Sequence, residues 1–100
     1  MEHHNYYVYI LLCSDNSYYI GVTNDLEKRL EEHQSGNIPG CYTFKRRPLI
    51  LKYYEHTRNI NDAIAREKQI KKWSRRKKQA LIEGDIEELE RLAKNYTEHR

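Results

Sequence analysis

Tyr7 to Thr23 reads YVYILLCSDNSYYIGVT, two β-prone runs around a short turn. Tyr7–Cys13 (YVYILLC) and Ser17–Thr23 (SYYIGVT) are dominated by β-branched, aromatic and aliphatic residues, and Ser14, Asp15 and Asn16 between them are turn formers. Together they predict an antiparallel hairpin. In such a hairpin Tyr7 and Tyr9 share one face, while Tyr18 and Tyr19 point to opposite faces. Gly21 lies inside the second strand, which signals close approach by another backbone or a ligand.

Working outward, Thr23, Asn24 and Asp25 supply an N-cap for a helix through about Gln34, with Gly36 as its stop. Residues 35–48 (SGNIPGCYTFKRRP) contain both prolines and two glycines and read as a mobile loop. Leu49–Glu55 (LILKYYE) is a third strand. Asn59 and Asn61 can cap a helix that runs to about Trp73, and Ser74 caps a shorter one ending at Gly84. Asp85 with Glu88 three residues later resembles a capping box for a last helix, with Ile86, Leu89, Leu92, Ala93 and Tyr96 on one side. These elements predict one small α+β domain over residues 1–100: a three-stranded antiparallel or mixed sheet flanked by helices. Its core covers about residues 5–80, with a C-terminal helical extension at about 81–97.

Composition sets the bounds. One hundred residues can exclude water at one site but cannot enclose a large ligand. At 38% hydrophobic and 33% charged the chain is polar, yet its patterning argues against disorder. No apolar run approaches membrane-spanning length, and Met1–Tyr6 lacks a secretory layout. Cys13 and Cys41 lack CxxC spacing, so neither a zinc site nor a redox motif is signalled. The expectation is a cytoplasmic protein with reduced thiols and no membrane partner.

One acid stands out. Ile60, Ala63, Ile64, Glu67 and Ile70 recur at the spacing of a single helical face, so Glu67 interrupts an apolar stripe. A carboxylate there loses hydration, which costs several kcal/mol unless a cation or donors compensate. A metal ion, an arginine or a lysine is the expected partner. On the first helix Leu26, Arg29, Leu30 and His33 share a face. Arg29 and His33 are either boundary residues whose stems line the core edge or a phosphate-binding and proton-moving pair.

Charge is segregated along the chain. Arg66, Lys68, Lys71, Lys72, Arg75, Arg76, Lys77 and Lys78 lie close together, reinforced by Lys45, Arg46 and Arg47 in the loop. The last helix is acidic, with Glu83, Asp85, Glu87, Glu88 and Glu90 at or near its start. Such a run is either a solvated face or a surface for a polyanion, most simply nucleic acid; no known sequence-reading motif accompanies it.

Five elements in order resemble the GIY-YIG nuclease domain over roughly residues 5–80: Tyr7-Val8-Tyr9, Tyr19-Ile20-Gly21, Arg29, His33 and the helical Glu67. The compact form, with KKWSRRKK at Lys71–Lys78, looks most like the small stand-alone bacterial proteins of the UPF0213 group. The resemblance implies catalytic roles for Tyr9, Tyr19, Arg29, His33 and Glu67, with Glu67 holding one Mg²⁺ or Mn²⁺. Arg29 would offset charge on the phosphoryl group, and Tyr19 would accept a proton from water, its pKa lowered by nearby cations.

The implied activity is metal-dependent hydrolysis of DNA phosphodiester bonds in repair or recombination. The YIG-V-T turn is more similar to nucleases selecting flaps and junctions than to the excision-repair incision subunit. The implied nucleic-acid contacts are Lys45, Arg46, Arg47, Arg66, Lys71, Lys72, Arg75, Arg76, Lys77 and Lys78, with a partner protein as one further source of specificity. The chain departs from the family in three places. Tyr7 occupies the name-giving glycine position, and Val22 stands where the excision-repair branch has lysine. Only Gln79 is available where several relatives carry an asparagine. The alternative is a non-catalytic nucleic-acid-binding or adaptor module on the same fold.

Overall fold

The computed structural model describes residues 4–38 and 40–98, with side chains through residue 94. Three strands form one antiparallel sheet: β1 (Tyr6–Leu12), β2 (Tyr18–Thr23) and β3 (Ile50–Thr57), in the order β2-β1-β3. The hairpin turn is closed by Cys13 N–H donating to Ser17 O at 2.8 Å. Asn16 takes φ 70°, a conformation that asparagine tolerates.

Side-chain caps begin the helices as the sequence suggests. Asp25 starts α1 (Leu26–Ser35) by accepting from Lys28 N–H, and Gly36 ends it at φ 76°. Asn59 caps α2 (Ile60–Lys71), accepting from Asn61 and Asp62 N–H, and Ser74 caps α3 (Arg75–Glu83). Gly84 closes α3, and Asp85 accepts from Glu88 N–H at the start of α4 (Ile86–Glu98). The side chain of Tyr96 lies outside the described residues.

The sheet has two covered faces. On one, Val8, Ile10 and Ile20 pack against Ala63 and Ile70 of α2 and Leu81 of α3. On the other, Tyr9, Leu11, Cys13 and Leu49 are covered by Leu26 and Leu30 of α1. In β3 the register slips between Ile10 and Leu11: Ile10 faces Tyr53, but Leu11 faces Leu51. Lys52 is the extra residue of a bulge, so Leu51 and Tyr53 end on opposite faces although they are two apart.

Three expectations change. The α2 stripe is narrower than its spacing suggests: Ala63 and Ile70 are buried, while Ile60 and Ile64 are 39% and 38% exposed. Part of the 35–48 segment is packed rather than a loose loop: Phe44–Arg46 forms a 3-10 turn and Thr43 beside it is almost completely buried. The group approaching Gly21 is a side chain: the ring of Tyr9, its β1 neighbour, lies over it.

Candidate active site

The α1 face of the sheet gathers a buried polar cluster. Tyr9 and Leu11 point to this face, and their β2 partners Gly21 and Tyr19 point the same way. Tyr19, not Tyr18, is therefore the tyrosine that joins Tyr9. Tyr9 is 0% exposed, and it has room only because Gly21 has no Cβ; one built there would sit 2.4 Å from the ring.

His33, on the last turn of α1 and 2% exposed, meets the Tyr9 hydroxyl through Nε2 at 2.8 Å. Its Nδ1 lies 2.8 Å from Thr43 Oγ1, and the Thr43 hydroxyl donates to Cys41 Sγ at 3.5 Å. With its proton so committed, Thr43 accepts from Nδ1–H, which leaves Nε2 as the acceptor for the Tyr9 phenol. Burial, aided by the Arg29 charge, holds the His33 pKa below its ordinary value and favours the neutral imidazole this arrangement needs.

The tyrosines are the opposite of what a lowered pKa requires. Burial pushes the Tyr9 phenol up to about 12, against the lowering influence of Arg29. Burial, Tyr9 and Cys41 raise Tyr19 as well, again with Arg29 opposing. Neither is poised to ionise unaided. Cys41 moves the other way: burial raises its thiol, but donors from Thr43 and Tyr19 outweigh this and hold it below the usual range.

Tyr42 closes the outer side, a residue the sequence reading missed. Its ring stacks on Tyr19 with centroids 6.2 Å apart, and its hydroxyl donates to Ser17 Oγ at 2.8 Å. Arg46 lies 3.7 Å over the Tyr42 ring and pairs with Asp15 at 2.9 Å. Thr43 and Tyr42 come from the one segment with no periodic pattern, so no sequence signal marks them.

Arg29 carries a positive charge that acts on both phenols, and it forms an ion pair with Glu32 at 3.2 Å. The arginine alternative for Glu67 therefore fails: its ion-pair partner is Lys71, at 2.8 Å one turn along α2. Glu67 stands on the helix covering the opposite sheet face, and no hydrogen bond or ion pair joins it to Tyr9, Tyr19, Arg29 or His33. The structure thus brings Tyr9, Tyr19 and His33 together beside Arg29, while Glu67 bonds directly to none of them.

The Glu67 side chain is 15% exposed and that of Lys71 52%, so the ammonium can swing away on its flexible stem. Among the described residues, no three His, Cys, Asp or Glu side chains converge as a metal cage. A single boundary carboxylate still suits Mg²⁺ or Mn²⁺, hard ions that take one or two carboxylates together with substrate phosphates and water.

The basic residues are mostly engaged within the chain. Arg66 forks onto Glu55 at 2.9 and 3.3 Å, and Arg76 pairs with Glu88 at 3.0 Å. Arg75 reaches Asn16 O at 2.5 Å and lies over the Tyr18 ring. Arg47 donates to Phe44 O and Gln34 O. Lys45 is exposed, and Lys78 is half-buried, its pKa lowered by burial and by Arg75.

A family model described as the GIY-YIG catalytic domain matches residues 5–80. The chain belongs to the GIY-YIG family. This GIY-YIG protein is 47% identical over 83 residues to a UPF0213 protein of Bacillus pumilus, covering 83% of this chain and 84% of that one. It is 46% identical over 83 residues to a UPF0213 protein of Syntrophus aciditrophicus, covering 83% and 95%. Its fold is similar to the solution structure of a UPF0213 protein from Bacillus halodurans, with TM-score 0.53 and 39% identity, covering 79% and 83% of the two chains. A protein from E. faecalis gives TM-score 0.58 at 37% identity, covering 82% and 86%. The GIY-YIG domain points to the nuclease superfamily, and among the described residues no helix is long and apolar enough to cross a membrane.

Proposed function

We propose that this GIY-YIG protein is a metal-dependent endonuclease that hydrolyses DNA phosphodiester bonds, with branched or damaged DNA as its substrate class and a cytoplasmic site of action. The observation that carries this reading is the Tyr9–His33–Thr43 hydrogen-bond chain next to Tyr19 and Arg29, in a chain whose residues 5–80 match a catalytic-domain model.

In this reading Tyr19 is the proton acceptor, because it is the half-exposed phenol of the cluster whereas Tyr9 is sealed from water. Its pKa stays raised although Arg29 lowers it, so the phenolate this role needs requires positive charge beyond Arg29, and Arg29 itself offsets charge on the phosphoryl oxygens. Tyr9 and His33 hold Tyr19 in place through a tilted and an edge contact, with centroids 6.3 and 5.3 Å from its ring. β2 is a free edge of the sheet, with α1 on one face and α2 on the other. A phosphodiester at that edge is where Tyr19, Arg29 and Glu67 can meet one substrate. Glu67 would hold a divalent ion, whose chemistry there would be Lewis-acid polarisation of the scissile phosphate.

The non-catalytic binding-module reading also has an observation in its favour, since Arg29 and Glu67 are each neutralised by a neighbour on their own helix. Labelled flap, junction and duplex DNA incubated with Mg²⁺ or Mn²⁺ decides between them. The nuclease reading expects cleavage that disappears in Glu67→Ala. Salt-sensitive binding with no cleavage by the wild-type protein would leave the binding module.

A further inference from the structure

Lys68, Lys72 and Lys77 differ from Lys71 and from the arginines of the basic segment. Arg66, Lys71 and Arg76 have carboxylate partners, and Arg75 is tied to the hairpin turn. Among the described residues, Lys68, Lys72 and Lys77 form no ion pair. Instead they converge, with Trp73, Gln69 and Leu92, on a cavity of about 590 Å³ between the outer side of α2, the start of α3 and α4. Lys77 Nζ lies 4.4 Å from the centroid of the indole ring.

Three ammonium groups without carboxylate partners line this apolar concave floor, so an anion entering the cavity meets positive charge that no acid among the described residues pairs with. The volume falls within the roughly 300–1,000 Å³ typical of ligand sites, enough for a nucleotide. Aromatic rings with lysines beside them are the chemistry of single-strand recognition, in which a base meets the ring and its phosphates meet the cations. A duplex offers its phosphates but keeps its bases stacked inside, so it cannot use the indole.

We propose that the Trp73 groove binds an unpaired segment of a polynucleotide. The choice of ligand rests on the nucleic-acid function proposed above. The groove itself is distinct from the Tyr9–His33 cluster, because α2 and α1 cover opposite faces of the sheet. It gives the protein a grip on the single-stranded arm of a branched substrate.

Trp73 is the sole tryptophan, so indole fluorescence, excited at the red edge where tyrosine does not absorb, reports on the groove. The full chain is titrated in EDTA, where no cleavage occurs, with a decamer of oligothymidylate, a duplex, inorganic polyphosphate and a poly-glutamate peptide. Saturable quenching by oligothymidylate is expected at concentrations about tenfold or more below those for polyphosphate or duplex, since one stacked base contributes about that much or more. Lys72→Ala/Lys77→Ala is expected to weaken binding and to reduce the slope of log affinity against log salt by about 1.4, at about 0.7 per phosphate contact. Lys72→Gln/Lys77→Gln gives the same readout with the side-chain stems largely kept.

Polyphosphate or duplex binding as tight as oligothymidylate overturns the proposal in favour of a simple anion site. Tighter binding of poly-glutamate overturns it in favour of an acidic protein partner. An unchanged salt slope in both variants overturns it too. Cleavage assays separate the two readings: quenching without any cleavage counts against the nuclease alone, and cleavage without quenching counts against the groove alone.

Discussion

Gly21→Ala tests whether the Tyr9–His33 cluster is as tightly built as its geometry indicates. An ideal Cβ at Gly21 falls 2.4 Å from both Cζ and Oη of Tyr9 and 2.9 Å from Cε1. Non-bonded carbons prefer about 3.5–4.0 Å, so the ring must retreat by about 1 Å. Nothing nearby yields easily. Tyr9 is fully buried, and its hydroxyl is anchored to His33, which is anchored in turn to Thr43. Overpacking of this kind costs about 1–3 kcal/mol, and loss of the buried hydrogen bond adds about 1 kcal/mol. Alanine stiffens the unfolded chain and returns about 0.4–1 kcal/mol. The net expectation is a loss of about 2–3 kcal/mol, or about 10–20 °C in Tm for a domain of this size. Urea unfolding followed by circular dichroism measures it, and the double variant Gly21→Ala/Tyr9→Phe should lose less than the sum of its parts, because removing Oη removes one of the clashes. A loss below about 0.5 kcal/mol for Gly21→Ala would refute the packing argument.

Other outcomes follow from the same cluster and from α2. Thr43→Val leaves the His33 Nδ1–H without an acceptor in a dry site and should cost about 1–3 kcal/mol in denaturant titrations, whereas Thr43→Ser should retain most of the stability. His33 has a depressed pKa in the folded state, so as pH falls below about 6.5 the unfolded chain takes up the proton first. Stability should therefore decline between about pH 6.5 and the lower folded-state pKa, and His33→Asn should flatten that part of the urea-midpoint profile. Glu67→Gln removes an ion pair with a half-exposed lysine on its own helix, so unfolding measurements should show a loss of about 0.5 kcal/mol or less.

What was legible in the sequence had local causes. The hairpin, the caps at Asp25, Asn59 and Ser74 and the stops at Gly36 and Gly84 each depend on chemistry within a few residues, and each is where the sequence suggested. Spacing placed His33 on the apolar face of the first helix and one of Tyr18 and Tyr19 beside Tyr9, the resemblance chose Tyr19, and the three rings do meet. What escaped depends on distant partners. Lys52 bulges because the β1–β3 register slips, and no alternation in LILKYYE announces it. Thr43 and Tyr42 matter because they reach His33 of α1 and Tyr19 of β2, and neither residue type is distinctive alone. The arginines read as a nucleic-acid surface are tied to Glu55, Asn16 and Glu88, contacts spanning 11, 59 and 12 residues. Glu67 was legible as an anomaly, but its neighbour proved to be Lys71 on the same helix, since α1 and Arg29 cover the other side of the sheet.

The central claim is that a charge at Glu67 is needed for chemistry rather than for folding. Single-turnover cleavage of a labelled branched DNA in Mg²⁺ or Mn²⁺, comparing wild type with Glu67→Gln of matched stability, tests it most directly. The account predicts cleavage by the wild-type protein and a loss of at least about a hundredfold in the variant, the scale at which removal of a key electrostatic group is felt. Equal rates in the two proteins, or no cleavage by wild type while it binds the same DNA, would contradict it.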